Sequence, residues 1–250
     1  MKDGKRCAAI VLAAGSGKRM GGNVPKQFMT VGDKPLLYYS LKTFQESFID
    51  EIVVVTRQEN IEYVANDIVK KYSFGKVTAV VSGGWERYHS VAIGLDTLEN
   101  RDGLATDNDK TIDYVFIHDG ARPFVTSKIL EDSFDAVCKY GAVVAGVPSK
   151  DTVKILDENG FVIDTPNRNC VYIMQTPQVF DFADIHKCYS KLIEGESEIT
   201  AKGIVVTDDA MVMELFGSRK VFISMGDYKN IKVTTPEDMV TAQTYLEEMK

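Results

Sequence analysis

Residues 8–28 read AAIVLAAGSGKRMGGNVPKQF, the part of this 250-residue sequence richest in groups able to do chemistry. An apolar run, Ala9-Ile10-Val11-Leu12, ends at Gly15-Ser16-Gly17, and Lys18, Arg19 and Lys26 follow. A buried strand that ends in a glycine turn points backbone N–H groups outward with no Cβ atoms in the way. Such a nest binds anions, phosphate above all. Arg19 and Lys26 would neutralise charge developing on a bound polyphosphate, and Pro25 fixes the backbone just before Lys26. That is the chemistry of a nucleotide-using transferase. Two better-known glycine patterns fail here. The dinucleotide fingerprint needs a third glycine three residues after the second, where this chain has Met20, and the Walker A pattern needs Ser or Thr where it has Arg19. The plain alternative is a strand-to-helix turn with solvated cations beside it. The spaced Arg19 and Pro25-Lys26 argue against that.

Other clusters carry chemistry too. Gly83-Gly84-Trp85-Glu86-Arg87-Tyr88-His89-Ser90 reads as a strand end opening into a helix. Two glycines would let a flat base approach the backbone, and Ser90 would offer a hydroxyl one turn in. The bland reading is a helix start with Glu86 in its first turn. In His118-Asp119-Gly120-Ala121-Arg122-Pro123, an acid at a strand's carboxyl end can hold Mg²⁺ or a sugar hydroxyl. Arg122 could simply pair with it, and His118 reads as a packing residue. Asn167-Arg168, Thr176-Pro177-Gln178 and Thr207-Asp208-Asp209 each read as turns in isolation, the last as a helix cap. Lys232, within Asn230-Ile231-Lys232-Val233-Thr234, either snorkels from a short apolar strand or aims into a site.

The elements that must position these groups alternate. Short segments rich in valine and isoleucine (8–13, 51–56, 77–82, 114–118 and 142–147) are separated by longer amphipathic ones (36–46, 61–71, 86–98 and 127–140). This predicts an α/β fold with a mostly parallel sheet and helices on both faces. Ligands in such sheets bind at the carboxyl ends of the strands, so Gly15, Gly83-Gly84 and Asp119 should converge on one crevice. The alternation breaks after Pro148, where 153–156 and 161–164 flank Asp157-Glu158-Asn159-Gly160, and Asn-Gly is a hairpin signal. A lone hairpin is marginal in water, so it packs on its own domain or reaches a second subunit. A strand at 171–175, helices near 184–194 and 208–216, a strand at 221–224 and a helix from Pro236 complete the pattern. With no repeat, low-complexity tract or linker, a single domain over 1–250 is expected, with a hairpin arm at about 149–170.

Hydrophobic content of 44% is enough to bury a full core. A net charge of −7 argues against nucleic acid or an anionic membrane as main partner, and a basic pocket in an acidic chain suits a small anion. Cys7, Cys138, Cys170 and Cys188 lie far apart, as do His89, His118 and His186. That spacing fits a reducing compartment and offers no protein-built transition-metal site. Lys2, Lys5 and Arg6 before a short apolar run mimic a signal peptide, but the run leads straight into the glycine loop and reads as a first strand. No segment approaches the roughly 18 apolar residues of a membrane span. The expectation is a cytoplasmic protein.

Five motifs, in order along nearly the whole chain, resemble the 2-C-methyl-D-erythritol 4-phosphate cytidylyltransferase family. They are Leu12-Ala13-Ala14-Gly15-Ser16-Gly17-Lys18-Arg19-Met20, Pro25-Lys26-Gln27, His118-Asp119-Gly120-Ala121-Arg122-Pro123, Thr176-Pro177-Gln178 and Ile231-Lys232-Val233-Thr234-Thr235-Pro236-Glu237-Asp238. The resemblance implies a Rossmann-like nucleotidyltransferase fold, a homodimer and Mg²⁺ bound mainly through substrate phosphates. It also implies the reaction: CTP and 2-C-methyl-D-erythritol 4-phosphate would be joined to give 4-diphosphocytidyl-2-C-methyl-D-erythritol and pyrophosphate, a step towards isoprenoid precursors by the non-mevalonate route. By the same resemblance Leu12, Ala13, Ala14, Gly15, Gly84, Trp85 and Ser90 contact CTP. Arg19 and Lys26 stabilise the transition state, and Lys232 lies between the two phosphates. Arg168, with Thr152, holds the acceptor phosphate from a partner's arm, and Asp119, Arg122, Thr176 and Thr207 line the sugar-phosphate pocket. Trp85 stands where the family pattern leads one to expect a small acidic or polar residue, so the contact implied there is one of backbone. The nearest rival is ribitol-5-phosphate cytidylyltransferase, whose members often carry two extra residues before the Pro-Lys-Gln. Val24 here runs straight into Pro25. A non-catalytic nucleotide-binding scaffold is disfavoured by the Arg19, Lys26 and Lys232 set, and a nicotinamide dehydrogenase by the failed fingerprint.

Overall fold

β-Branched residues concentrate in the segments that pair, and the helices take the amphipathic stretches between them. The computed structural model describes residues 1–15, 25–100 and 111–249. It begins with β1 (Cys7–Leu12), then β2 (Thr30–Val31), β3 (Lys34–Pro35), α1 (Leu36–Gln45) and β4 (Glu51–Thr56). Next come α2 (Ile61–Tyr63), which runs on into a π-helical turn over Val64–Lys70, then β5 (Val77–Ser82) and α3 (Arg87–Glu99). β6 (Tyr114–Asp119), α4 (Ser127–Tyr140) and β7 (Ala142–Pro148) close the alternating part. β8 (Ile155–Leu156) and β9 (Val162–Asp164) follow, then β10 (Tyr172–Asp181), α5 (Phe182–Glu194), α6 (Glu196–Ala201) and α7 (Asp209–Phe216). β11 (Phe222–Met225) and α8 (Pro236–Glu248) come last.

Seven strands form one sheet in the order β11-β7-β10-β6-β1-β4-β5. All pairs are parallel except those of β10, which runs antiparallel between β6 and β7. Successive residues on a strand face opposite sides, and both sides are apolar. Cys7, Ala9 and Val11 of β1 pack with Leu41 and Phe44 of α1 and Phe134 of α4, whereas Ala8 and Ile10 pack with Leu95 of α3 and Ile185 of α5. This is the doubly covered, mostly parallel sheet expected of the alternation.

One expectation needs correcting. Thr176-Pro177-Gln178 is not a turn: it lies inside β10, with a cis peptide bond between Thr176 and Pro177. A proline cannot donate to a ladder and normally argues against a central strand. Here the pairing register with β7 shifts between Met174 and Gln178, so the proline sits in a bulge. Bulges re-aim side chains and recur beside active sites. β8 and β9 pair as the expected hairpin, and their side chains are exposed. No helix among the described residues is long and apolar enough to cross a membrane.

Candidate active site

The loops after β1, β4 and β5, with the end of β6, enclose a cleft of about 650 Å³. A second cavity of about 340 Å³ is lined by β10 and the turn before α7. Arg87, Asp119 and Lys232 line both. Of the residues singled out from sequence, Leu12, Ala14, Gly15, Lys26, Gly84, Trp85 and Ser90 line the first cavity, and Arg122, Thr176 and Thr207 the second. Ala13 is buried and lines neither. Thr152 and Arg168, exposed before and after the hairpin, also line neither. Arg19 lies outside the described residues, as do Ser16, Gly17 and Lys18.

Lys26 begins a single 3-10 turn, Lys26–Phe28, whose next residue, Gln27, anchors it. The buried Gln27 amide donates to the Ala13 carbonyl and, at 3.3 Å, to that of Gly15. The turn is thereby tied to the end of β1. The Lys26 stem passes over Gly15, its Cε 3.9 Å from where a Cβ would stand. Gln27 was visible in the sequence only as part of a motif; its positioning role needs the fold.

Asp119 closes β6 and is the charge centre of the site. Lys232 Nζ lies 2.8 Å from its Oδ2, Arg87 Nε 3.6 Å from Oδ1 and Arg122 Nε 3.9 Å from Oδ2. Burial pushes its pKa up, but Arg87, Lys232 and Arg122 outweigh that and hold the carboxyl well below the usual carboxylate range. It is therefore an ionised acceptor and not a proton donor. Its own N–H donates to Thr176 Oγ1 at 3.0 Å. Next to it, the His118 Nε2–H donates to the Arg122 carbonyl at 3.2 Å. A carbonyl only accepts, so in the neutral ring the proton is on Nε2, and the bare Nδ1 accepts a hydrogen bond from the Thr176 hydroxyl at 3.0 Å. Burial drives the His118 pKa down to about 4. The bulge in β10 thus presents Thr176 as a link between two β6 residues.

Arg122 lines the second cavity and also fastens its neighbours. Its Nη1 donates to the Asn230 carbonyl at 2.7 Å and its Nη2 to the Met174 carbonyl at 3.4 Å. Asn230 in turn donates to the Thr176 carbonyl at 2.9 Å. Val233 N–H reaches the Ala121 carbonyl at 2.9 Å, and Asp238 caps α8 through the N–H groups of Thr234 and Thr235 at 2.7 and 2.9 Å. Lys232 sits between these two fastenings, which resolves its sequence ambiguity: it points at Asp119 in the site.

Arg87 went unassigned from sequence. It makes a fork onto Asp209 at the start of α7, both N–O distances 2.7 Å, and Asp209 also accepts from Tyr189 of α5 at 2.5 Å. The partner is 122 residues away, so no local spacing reveals it.

The start of α3 gives its glycines a packing reason as well. A Cβ on Gly83 would stand 2.5 Å from Ser90 Oγ, and one on Gly84 would collide with His89. Close packing on the helix already excludes a side chain there. Gly84 N–H donates to Ser90 Oγ at 3.2 Å, and Glu86 N–H donates to His89 Nδ1 at 3.2 Å within a capping box. Trp85, between them, is 98% exposed at the cleft rim.

Basic groups around a carboxylate at a sheet's carboxyl edge suit a polyphosphate and a second anionic substrate. Comparison with known proteins gives the same direction. The family model described as 2-C-methyl-D-erythritol 4-phosphate cytidylyltransferase matches residues 7–248. A protein of that name from Lachnoclostridium phytofermentans is 43% identical over 98% of this chain and 97% of its own length. One from Clostridium botulinum is 45% identical over 97% and 98%. Among solved structures, the 4-diphosphocytidyl-2C-methyl-D-erythritol synthase of Anaerococcus prevotii superposes with a TM-score of 0.80 at 37% identity, covering 98% of this chain and 97% of that one. Matched from β1 to α8 in sequence and across the whole sheet in structure, the chain belongs to the 2-C-methyl-D-erythritol 4-phosphate cytidylyltransferase family.

Proposed function

We propose that this chain transfers the cytidylyl group of CTP to 2-C-methyl-D-erythritol 4-phosphate and releases pyrophosphate. The observation that carries the reading is the pair of cavities meeting at Arg87, Asp119 and Lys232, one larger and lined by the phosphate loop, one smaller and lined by β10. Two substrates in adjacent cavities can place an acceptor phosphate in line with an α-phosphorus. The attacking phosphate oxygen is already ionised near pH 7, since its second pKa is about 6. No general base is required, and the buried neutral His118 supplies none. Catalysis is then alignment and charge stabilisation. Lys26 and Arg19 stabilise the α-phosphoryl group, Lys232 bridges the phosphates, and Asp119 and Thr207 accept from or donate to acceptor hydroxyls.

The donor set fits a metal held largely by the substrates. Among the described residues no three His, Cys, Asp or Glu side chains are grouped to cage an ion. Asp119 is the carboxylate common to both cavities. Mg²⁺ characteristically takes one or two carboxylates plus substrate phosphates, and when bound it supplies charge neutralisation. The exposed apolar hairpin and Arg168 beyond it support a homodimer in which each arm completes the partner's site. A cytoplasmic location accords with substrates made inside the cell.

The test is pyrophosphate release from CTP with methylerythritol 4-phosphate and with ribitol 5-phosphate side by side. Release with the first and little with the second is expected. Release with ribitol 5-phosphate alone would overturn the acceptor assignment, and no release with either would overturn the transfer reaction.

A further inference from the structure

Trp85 is the chain's only tryptophan and, at 98% exposure, the most exposed large apolar side chain among the described residues. Tryptophan is on average highly buried, so an indole left almost wholly in water at the rim of a cleft calls for an occupant. Its main chain is not loose. Gly84 before it is bonded to Ser90, Glu86 after it to His89, and the glycines pack against the first turn of α3 too closely for any side chain. The backbone is therefore fixed while the indole, outside every apolar cluster, is free to choose a rotamer. Ser90 is buried on the inner side of the same loop. A base whose edge meets Ser90 and the Gly84 backbone leaves one flat face towards the mouth, where Trp85 is the large apolar group.

We propose that the Trp85 indole closes over the cytosine ring of bound CTP and stacks on its face. The inference rests on reading the larger cavity as the CTP site. Base–aromatic stacking is worth a factor of about 5–140 in binding when the aromatic group is cut to alanine. Every base has such a face, so the stack adds affinity without choosing between bases; that choice stays with the hydrogen-bonding groups beneath.

The experiment follows Trp85 fluorescence, excited at the red edge where tyrosine is silent, as CTP is added to the enzyme with Mg²⁺. It is paired with pyrophosphate-release kinetics of Trp85→Ala and Trp85→Phe. The stack requires saturable quenching over the CTP range that saturates turnover. It requires a KM for CTP raised about 5- to 140-fold in Trp85→Ala and restored to within about threefold in Trp85→Phe. The KM for the acceptor and the preference for CTP over UTP should not move. CTP turnover with no rise in KM in Trp85→Ala, whether or not the fluorescence responds, overturns the stack and leaves the proposed function standing. A rise in the acceptor's KM in place of CTP's overturns it as well. Saturable quenching without any turnover would keep the stack and overturn the transfer reaction; neither quenching nor turnover would overturn both.

Discussion

His118 and Asp119 are consecutive on β6, yet the fold holds one neutral and the other ionised, and the two respond to acid over different ranges. His118 titrates at about 4 when folded and at about 6.5 when unfolded. A depressed folded value means the unfolded chain takes the proton first. Its stabilising contribution is complete above about pH 6.5 and is lost as pH falls towards 4, roughly 3 kcal/mol in all. Asp119 is also depressed, so its contribution is present above the ordinary carboxylate value of about 3.9 and is lost only below it. Between about pH 7 and 4.5, then, the fall in stability contributed from this pair belongs to His118. Urea midpoints measured across that window should drop in the wild-type chain and drop less in His118→Gln. Parallel curves for the two proteins would refute the buried neutral imidazole. At this scale the sequence was legible where chemistry is local. Gly15, Lys26 and Asp119 announce themselves by type and neighbours, whereas Gln27 is only the third residue of a motif in the sequence, and its role under Ala13 and Gly15 needs the fold.

Between elements, the Arg87–Asp209 fork ties two of the site's walls together. It joins the first turn of α3, which carries the cleft loop, to α7, and Tyr189 adds α5 to the same carboxylate. Asp209 is fully buried, while 28% of the Arg87 side chain reaches solvent. Removing one partner of a buried pair leaves the other charge desolvated and costs about 3–5 kcal/mol. Arg87 keeps some water and the Asp119 carboxylate 3.6 Å away, so Asp209→Ala should fall at the lower end, about 3 kcal/mol by urea unfolding. A loss below about 1 kcal/mol would mean the fork contributes like a surface pair. The elements themselves could be read from sequence because valine-rich and amphipathic segments alternate plainly. β10 could not be read to its full length. Proline argues against a central strand, and only the sheet reveals that a bulge between Met174 and Gln178 absorbs it.

At the scale of the whole molecule, the hairpin carries apolar side chains that the chain's own core does not cover. Phe161, Val162 and Ile163 are 72, 56 and 65% exposed on a two-stranded hairpin whose strands pair only with each other. Such a hairpin is marginal alone in water, and its exposed large apolar side chains leave area that a second chain could cover. Arg168 follows it, exposed and lining neither cavity of its own chain. A two-fold pair of chains, each arm reaching the other's cleft, would answer both facts: the apolar side chains gain cover, and Arg168 gains an acceptor phosphate. The sequence hinted at this through Asn159-Gly160 interrupting an α/β pattern, but where an arm lands is a property of the assembly. In that arrangement one chain supplies Lys26 to a site and its partner supplies Arg168. Lys26→Ala and Arg168→Ala dimers should each be nearly inactive, the first by about 10²–10³ in kcat, the scale for losing one preorganised donor. A mixed dimer concentrates both lesions in one site and leaves the other intact. Half of the dimers formed by random reassembly of equal amounts are mixed, so roughly a quarter of wild-type activity should return. The measurement is to unfold, mix, refold and assay pyrophosphate release, with each variant refolded alone as control and native mass spectrometry counting mixed dimers. Mixed dimers that form without restoring activity would place Arg168 in its own chain's site and end the crossed-arm arrangement.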